Sequence, residues 1–426
     1  MTLEIRPLTE EDTDASRRLS HEAFGGPARA PASSPPWPPP GYHGFGAFED
    51  GELVAKIADR EYDSHFGGAV VPTCGIAGVT VVAERRGEGL MGALMEAAVR
   101  SGVSRGCAIS TLFPTVPAIY RPFGFETITD YQTVELPTAA LAAVAAPQSG
   151  TVAVRRASAA DFDAVRQVYD WWAAAQNGPL TRRGVSFTAT AEDFIGAFSG
   201  VTVAVTDDGA VEGYLSWRRL KGYDSEGAVE VADLLAVSAG AARALLRFLG
   251  SMATTAPAVR LDTSGFDLIR TLIPTADWKI TDSVPYMLRL LDVPGALAPL
   301  AYPYAVFPAL RFQVVGDRLG LIDGSYRLEV ASGAGRCERD AESTGETAAG
   351  EAGAGQAGSG EAGAREAGSG EAPTVFTPQG LALMYAGTLS MAGIRGTGHA
   401  SGGSSRTDGI WDALFGGRQA HVRDYF

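Results

Sequence analysis

Short apolar runs broken by polar turns dominate the start of the chain, a pattern that predicts strands. Leu3 and Ile5 lie in a first short strand, and Thr9 stands where the N-cap of an acidic helix start is expected. Two further strand-like runs, GFGAFED and ELVAKIADREY, are separated by Asp50-Gly51, a strong hairpin-turn signal. The opening segment is therefore predicted to form a strand, a helix and a hairpin.

The most informative pattern lies between residues 73 and 106. An apolar, β-branched run from Gly78 to Val82 ends in a charged turn that contains glycines. Apolar residues at Leu90, Leu94 and Ala98 then follow at helical spacing. The sequence thus predicts a strand, a Gly-rich turn and a helix, with the short strand CAISTLF after them.

From residue 151 onward, the chain repeats its own opening. TVAVRRASAADFDAV has the pattern of TLEIRPLTEEDTDAS, and TVAVTDDGAVEGYLSWRR has that of GFGAFEDGELVAKIADR. The second copy enters its helix, SAGAARALLRFLGSM, without a Gly-rich turn or an arginine pair. We expect a mixed α/β (α+β) fold with domains at 1–140, 150–290 and 291–426, the last interrupted by a disordered low-complexity insertion at about 339–373.

Composition excludes several classes of protein. The 426 residues carry a net charge of −14, which disfavours binding to nucleic acid or to an anionic membrane and suits a cationic partner. The 3 cysteines and 5 histidines are scattered, so neither a disulfide framework nor a metal site is expected. No signal peptide and no apolar run near the roughly 20 residues of a membrane span are present, so we expect a cytoplasmic protein.

The turn in VTVVAERRGEGLMGAL is suited to bind an anion. Arg85 and Arg86 supply positive charge, while Gly87 and Gly89 allow close approach of the backbone to a ligand. The helix that follows presents free N–H groups at its N-terminus, and pyrophosphate is the natural ligand of such a turn. The alternative is an ordinary connection between strand and helix with solvated arginines.

This run resembles the acetyl-CoA signature of GNAT acyltransferases, Arg/Gln-x-x-Gly-x-Gly/Ala, with Arg86 and Gly89 in register and Met91 at the last position. An Arg-rich turn followed by Gly-Leu-Met is similar to that of the Eis (enhanced intracellular survival) family of N-acetyltransferases. Residues 118–125, AIYRPFGF, resemble a second segment of that family. The resemblance implies two tandem GNAT domains, the second degenerate, followed by a domain like sterol carrier protein.

The resemblance also implies where acetyl-CoA binds and which groups move protons. Tyr120 matches the family's general acid, and the terminal carboxylate of Phe426 matches its general base, whereas CGIAGVTVV contains no acidic residue that could serve. Asp424 is an acidic neighbour that could also hold the acceptor's ammonium group. The implied cofactor-binding residues are Val79, Val81, Val82, Arg85, Arg86, Gly87, Glu88, Gly89, Leu90, Met91 and Ile119.

Trp37, in a Pro-rich loop, and Tyr425 are expected to bind the acceptor, although Trp37 could equally pin its own loop. The expected reaction is direct transfer of an acetyl group from acetyl-CoA to primary amines of an aminoglycoside-like or other polyamine acceptor, without a metal, in a homo-hexamer. The competing hypothesis is a non-catalytic module that binds a lipid or an amphiphile and keeps two decayed GNAT domains.

Overall fold

Strands form one sheet of twelve and a second sheet of five within the residues that this computed structural model describes, which are 3–25, 37–147, 152–222, 227–340 and 372–426. Two successive parts of the chain, 3–147 and 152–290, repeat one order of elements and build the larger sheet, and we call them the first half and the second half of that sheet. The C-terminal region builds the smaller sheet. The predicted mixed α/β fold is confirmed.

The first half follows the predicted order of strand, helix, hairpin, strand and helix. Its elements are β1 (Leu3–Pro7), α1 (Thr13–Phe24), β2 (Tyr42–Glu49), β3 (Glu52–Phe66), β4 (Ala69–Val81), α2 (Leu90–Ser104), β5 (Ile109–Leu112), α3 (Pro117–Tyr120), β6 (Glu126–Pro137) and α4 (Thr138–Ala142). The predicted hairpin turn is confirmed, because Asp50 and Gly51 have φ of 48° and 89° between the paired strands β2 and β3. Positive φ at both residues fits the right-handed twist of a hairpin.

The second half repeats this order, and its first four strands are shorter than those of the first half. Its elements are β7 (Ala153–Arg156), α5 (Phe162–Ala174), α6 (Ala191–Gly196), β8 (Gly200–Val205), β9 (Val211–Arg219), β10 (Ala228–Ala236), α7 (Ala239–Gly250), β11 (Ala258–Ser264) and β12 (Lys279–Leu290). Ser238 caps α7 by accepting a hydrogen bond from the Ala241 N–H, so this helix begins directly after a single polar residue. The predicted repeat is therefore present in the fold.

One local device recurs at the start of both halves. Asp12 accepts a hydrogen bond from the backbone N–H of Thr9 and pairs with Arg6 at 2.8 Å. Asp161 pairs with Arg155 at 2.7 Å in the corresponding place. The guanidinium of Arg6 lowers the pKa of Asp12 to about 2, because it stabilises the carboxylate. Each half thus locks its first strand to the start of its first helix.

The last strands of the two halves are exchanged. The order of the large sheet is β1-β2-β3-β4-β5-β12-β6-β11-β10-β9-β8-β7. β12 pairs with β5 of the first half, with Met287 opposite Leu112, and β6 pairs with β11 of the second half, with Tyr131 opposite Ser264. Each half therefore completes its sheet with a strand from the other.

The C-terminal region packs against the first half and carries the small sheet. Its elements are α8 (Val293–Leu297), β13 (Ala309–Val314), β14 (Gly324–Ala331), β15 (Ala334–Arg339), β16 (Thr374–Phe376), α9 (Pro378–Ala386), α10 (Met391–Gly396), β17 (Ala400–Gly402) and α11 (Ser405–Phe415). The small sheet has the order β15-β14-β13-β16-β17. Apart from its ends, the predicted low-complexity insertion lies outside the described residues.

The apolar core follows the exchange of strands. Tyr286, Leu288 and Leu290 on β12 are buried in one cluster with residues of the small sheet and of α9. Met287, on the other face of the same strand, is buried with Tyr120 and residues of α2. Because successive residues of a strand point to opposite faces, β12 joins the core of the first half to that of the C-terminal region.

Candidate functional site

A cleft opens in the first half where β4 and β5 separate. The two strands pair in parallel over four residues only, from Thr73 opposite Ile109 to Ile76 opposite Leu112. β4 then continues to Val81, while β5 ends at Leu112. The register of β3 and β4 shifts in the same stretch, and Gly78 has a φ of +57°. The last residues of β4 thus have a neighbouring strand on one side only among the described residues.

Backbone groups of β4 face this cleft. The N–H of Val82 donates to the Val54 carbonyl at 2.9 Å, on the side of β3. Successive backbone groups along a strand alternate in direction, so those of Val81 and Val79 point away from β3, into the cleft. The side chains of these three valines pack half-buried against the core of the first half. What Val79 and Val81 offer to the cleft is therefore backbone rather than side chain.

The turn after β4 leads into α2 without a side-chain cap. Gly87 and Gly89 have φ of 85° and 81°, and space is open where a Cβ would stand on either residue. Glu88 and both glycines are exposed, whereas Leu90 is buried and Met91 is half-buried. The first N–H groups of α2 are left open to a ligand, and the helix dipole gives that end positive character.

The two arginines of the turn differ in their surroundings. Arg85 pairs with Glu88 at 2.7 Å and also contacts the carboxylate of Glu49. Arg86 is exposed, makes no ion pair with any described residue and approaches the Val81 carbonyl with its Nε at 3.4 Å. A phosphate near Arg85 has to compete with two carboxylates, so Arg86 is the turn's more available cation.

A third arginine, which the sequence analysis did not identify, reaches the same place from the C-terminal region. Arg318 lies with its guanidinium carbon 4.8 Å from the centre of the Phe123 ring. Its Nη2 is 3.9 Å from the position that a Cβ on Gly92 would take, in the first turn of α2. A positive charge beside the N-terminus of this helix adds to the attraction of an anion there.

The loop that carries Arg318 is fixed by a buried ion pair. Asp317, between β13 and β14, is fully buried and pairs with Arg289 of β12 at 3.2 Å. It also accepts hydrogen bonds from three backbone N–H groups of its own loop. Arg289 in turn donates to the carbonyl of Phe123. The position of Arg318 therefore depends on contacts between segments far apart in sequence.

Tyr120 ends α3, which follows the cleft strand β5. Its side chain is only 7% exposed, and its ring meets that of Phe125 edge-on at 6.4 Å. Its hydroxyl makes no hydrogen bond to any described residue. Burial raises the pKa of Tyr120 to about 12, so the phenol keeps its proton at neutral pH. Ile119, the residue before it, is 46% exposed.

Rings from three parts of the chain surround Phe426. Its ring centre lies 4.9 Å from that of Tyr62 and 5.4 Å from that of Phe113, the first residue after β5. Tyr425 packs on Phe113 as well, at 4.5 Å, and is 62% exposed. We call Tyr62, Phe113, Tyr286, Tyr425 and Phe426 the terminal aromatic cluster. It lies at the end of β5, where the cleft begins.

The segment that leads to Phe426 is anchored in the second half. Arg423 donates to Asp267 at 2.7 Å, and the Ser264 hydroxyl bonds His421 Nδ1 at 2.8 Å. The residues of this segment up to Arg423 are buried from Ala420 onward. Burial, with the charge of Arg423, lowers the pKa of His421 to about 4, so this imidazole is neutral near pH 7.

The expectation that Asp424 is free to hold an acceptor amine is wrong. Its carboxylate pairs with Arg182 at 2.8 Å and accepts a hydrogen bond from the Tyr169 hydroxyl at 3.2 Å. Arg182 is also bound to Asp233 at 2.6 Å. Burial would raise the pKa of Asp233, but Arg182 outweighs it and holds that pKa below its usual value. Asp424 therefore fastens the chain in front of Phe426.

Trp37 lies apart from the terminal aromatic cluster in the contacts of the described residues. Its half-buried ring packs at 5.4 Å on Tyr42, the first residue of β2. The residues before it, 26–36, are outside the described part of the chain. This contact fits a role in fixing the loop. Among the described residues it does not connect Trp37 to the residues proposed to bind the acceptor.

Comparison with known families decides the class of protein. Residues 4–128 match a family described as acetyltransferase (GNAT) domain, and residues 164–290 match a second family with the same description. Together the two matches take in more than half of the chain. The chain is a GNAT-family acyltransferase. It carries two GNAT domains in tandem, as the repeat in the sequence predicted.

Relatives of this GNAT protein extend the match. An uncharacterized N-acetyltransferase of Streptomyces griseus subsp. griseus is 28% identical over 318 residues, which are 68% of this chain and 74% of that protein. A GCN5-related N-acetyltransferase from Kribbella flavida has a crystal structure with a TM-score of 0.76 and 25% identity, covering 100% of this chain and 98% of its own. Eis1 from Mycobacterium abscessus shares the fold, with a TM-score of 0.72, 21% identity and full coverage of both chains.

GNAT domains imply the use of acetyl-CoA, and the first half has the groups to hold it. The unpaired edge of β4, the exposed turn with two positive-φ glycines and the open start of α2 follow one another along the chain, an arrangement that fits an extended ligand with a pyrophosphate. Within the described part of the chain, no group of three or more His, Cys, Asp or Glu side chains could hold a metal ion. No described helix is both long and apolar enough to span a membrane.

Proposed function

We propose that this GNAT protein is an N-acetyltransferase that moves an acetyl group from acetyl-CoA to a primary amine of a cationic acceptor, with the first half as the catalytic one. Three features carry the proposal, two of which lie together at the end of β5 while the third follows that strand in the sequence. These are the open edge of β4, the unpartnered hydroxyl of Tyr120 nearby in sequence, and the terminal aromatic cluster. The second half offers no comparable turn, because α7 starts directly at Ser238.

The residues proposed to hold acetyl-CoA fall into two groups. Backbone groups of Val79 and Val81 face the extended part of the ligand, and the turn from Arg86 to Met91 faces its pyrophosphate. Arg318 adds a cation beside the first turn of α2. When bound, acetyl-CoA supplies an activated acetyl thioester and a thiol leaving group. Exposed Ile119 lies beside Tyr120 and offers an apolar contact to that ligand.

Tyr120 is proposed as the general acid. A thiol, with a usual pKa near 8.5, is a stronger acid than a phenol. Transfer of the proton from the Tyr120 phenol to the departing thiolate therefore depends on a short, well-placed hydrogen bond. Tyr120 meets the requirement of availability, since no described residue competes for its hydroxyl. Its raised pKa keeps the proton in place across the neutral range.

The acceptor is proposed to enter on the side of the terminal aromatic cluster. Aromatic faces attract an ammonium group, and half-buried Phe113 and exposed Tyr425 present such faces beside Phe426. In a chain that ends at Phe426, its α-carboxylate holds the incoming ammonium and accepts the proton that the amine must lose. The contact of Asp424 with Arg182 supports this role by fixing the chain two residues before Phe426.

Finer assignments are proposed on the resemblance to the Eis family. These are an aminoglycoside-like or other polyamine acceptor, a sterol-carrier-like fold for the C-terminal region and a hexamer. A cytoplasmic location is proposed from the amino-acid sequence. We also propose functional units at 1–140, 150–290 and 291–426. The first two share one sheet, in which β6 and β12 each pair with a strand of the other unit.

The test is release of thiol from acetyl-CoA in the presence of a panel of amines, including aminoglycosides, linear polyamines and a lysine peptide. Amine-dependent release, with mass-spectrometric detection of the acetylated amine, supports the proposal and ranks acceptors. Absence of release with every amine, together with no binding of CoA by calorimetry, refutes it and favours the non-catalytic binding module.

Two variants assign the proton-transfer groups. Tyr120→Phe is expected to lower kcat by about 10²-fold or more with little change in the affinity for acetyl-CoA, because it removes the proton donor and keeps the ring. One glycine added after Phe426 is expected to lower kcat similarly, because it moves the carboxylate. The matched control is one glycine added at the N-terminus. Full activity of the C-terminally extended protein contradicts the role of the terminal carboxylate.

A further inference from the structure

The second half contains a cavity of about 550 Å³ in the place that corresponds to the cleft of the first half. Its walls are the end of β10, the start of α7 and the turn at Leu268–Leu272 that follows β11. Trp171 and Trp172 of α5 line it on another side, and Gln419 and His421 of the C-terminal segment close one end. A volume of this size accommodates a small organic ligand.

The strand edge that faces this cavity is as open as that of β4. β10 and β11 pair in parallel over four residues, ending at Val231 opposite Leu261, and β10 then continues to Ala236. The Val237 N–H donates to the Glu212 carbonyl at 2.8 Å, which matches the bond from Val82 to Val54 in the first half. Because strand groups alternate, the backbone of Ala236 points into the cavity. An extended ligand with amide groups can pair with such an edge.

The cavity lacks the features that bind phosphate in the first half. A single residue, Ser238, replaces the exposed Gly-rich turn. The Ser238 hydroxyl donates to the Glu212 carboxylate at 2.6 Å, which places a negative charge beside the first turn of α7. This charge repels an anion where the first half attracts one. Intact CoA is therefore a poor ligand for the second cavity.

The remaining lining is aromatic, apolar or neutral. Trp171 is 60% exposed, and Phe266 and Leu268 are exposed at the rim. Asp267, the one charged side chain among the lining residues that the structure describes, is paired with Arg423 at 2.7 Å. The polar lining that remains, including Gln176 and Gln419, consists of neutral hydrogen-bonding groups.

We propose that this second cavity binds an uncharged, extended ligand that carries amide groups and an apolar end, the chemistry of pantetheine without phosphates. The first half serves as the structural template, so the inference rests on the acetyl-CoA assignment there, although binding in the second cavity does not require catalysis. The open strand edge of β10 selects the amide chain, and Glu212 excludes its phosphorylated forms.

The test is isothermal titration calorimetry of the full chain, saturated with CoA, with pantetheine. CoA at a saturating concentration occupies the first cleft, so that pantetheine cannot bind there. We expect one additional site with a dissociation constant of about 0.1–1 mM, as the usual binding efficiency of a ligand of this size indicates. Ala239 is exposed at the start of α7 and lines the cavity, so Ala239→Trp is expected to abolish this site, whereas Ala239→Ser retains it.

The outcomes separate this inference from the proposed function. One CoA site plus one pantetheine site that is lost in Ala239→Trp supports both. One CoA site without a pantetheine site overturns the inference alone, as does a pantetheine site unaffected by Ala239→Trp. Failure of CoA to bind, with the pantetheine site present and blocked by Ala239→Trp, overturns the proposed function and leaves the inference standing.

Discussion

Removal of the Asp424 carboxylate tests whether the anchored C-terminal segment matters for turnover. In Asp424→Ala, Arg182 loses its contact at 2.8 Å but keeps Asp233 at 2.6 Å and the face of Tyr169 at 4.1 Å. The guanidinium is therefore not left as an uncompensated charge, which would cost about 3–5 kcal/mol. We expect the loss of one charge-assisted contact, worth about 1.5–3 kcal/mol.

The predicted consequence is larger for activity than for stability. His421 and Arg423 continue to hold the earlier part of the segment, so only the last residues become free to move. If the same 1.5–3 kcal/mol no longer holds Phe426 in place, kcat/KM falls by about 10- to 150-fold, at roughly 1.4 kcal/mol per factor of ten. The melting temperature falls by a few degrees, about 2–4 °C for a chain of this size.

The assay is amine-dependent thiol release together with thermal unfolding, and Asp161→Ala is the matched control. Asp161 pairs with Arg155 at 2.7 Å in the same half, far along the chain from the terminal segment. Both variants are expected to lower the melting temperature, and only Asp424→Ala is expected to lower kcat/KM. An equal kcat/KM for Asp424→Ala and the parent, at a lowered melting temperature, would refute the reasoning.

Three further outcomes are expected. Arg318→Ala raises KM for acetyl-CoA about 3- to 10-fold at low salt with kcat unchanged, as suits one exposed contact to phosphate. Arg100→Ala, in the last turns of α2 and away from its N-terminus, leaves KM unchanged, and equal effects of the two variants would contradict a local contact. The pH profile of kcat shows no alkaline limb from Tyr120 below about pH 11, because its pKa is about 12; loss of such a limb in Tyr120→Phe would contradict this. Asp12 has a pKa of about 2 against its usual 3.8, so its pairing stabilises the fold by about 2 kcal/mol above pH 4, and this is lost as the pH falls towards 2. The difference in melting temperature between the parent and Asp12→Asn should therefore close over that interval, and a constant difference would argue against the shift.

The elements that sequence predicted well are those with local causes. The turn at Asp50-Gly51 depends on residues that tolerate positive φ, and the start of α7 depends on the capping side chain of Ser238. The Gly-rich turn before α2 is of the same kind. The repeat was visible because both halves preserve these local signals in the same order.

The features that sequence did not predict depend on contacts between distant segments. Nothing within β6 or β12 indicates that each completes the other half's sheet, because strand pairing is decided by the folded arrangement. The sequence around Arg318 has no motif that indicates a role. Its position near α2 depends on the ion pair of Asp317 with Arg289, which joins its loop to β12. The sequence leaves Asp424 open as a ligand for the acceptor's ammonium group, because its partner, Arg182, lies 242 positions away.

The exchange of β6 and β12 also bears on how a protein with a repeated half can change over time. Deleting the second half would remove β12, and with it Met287 from the core around Tyr120 and Tyr286 from the terminal aromatic cluster. The first half thus depends on the half without a Gly-rich turn for one strand of its sheet and for part of its core. A chain joined in this way cannot be shortened to one half without rebuilding that strand.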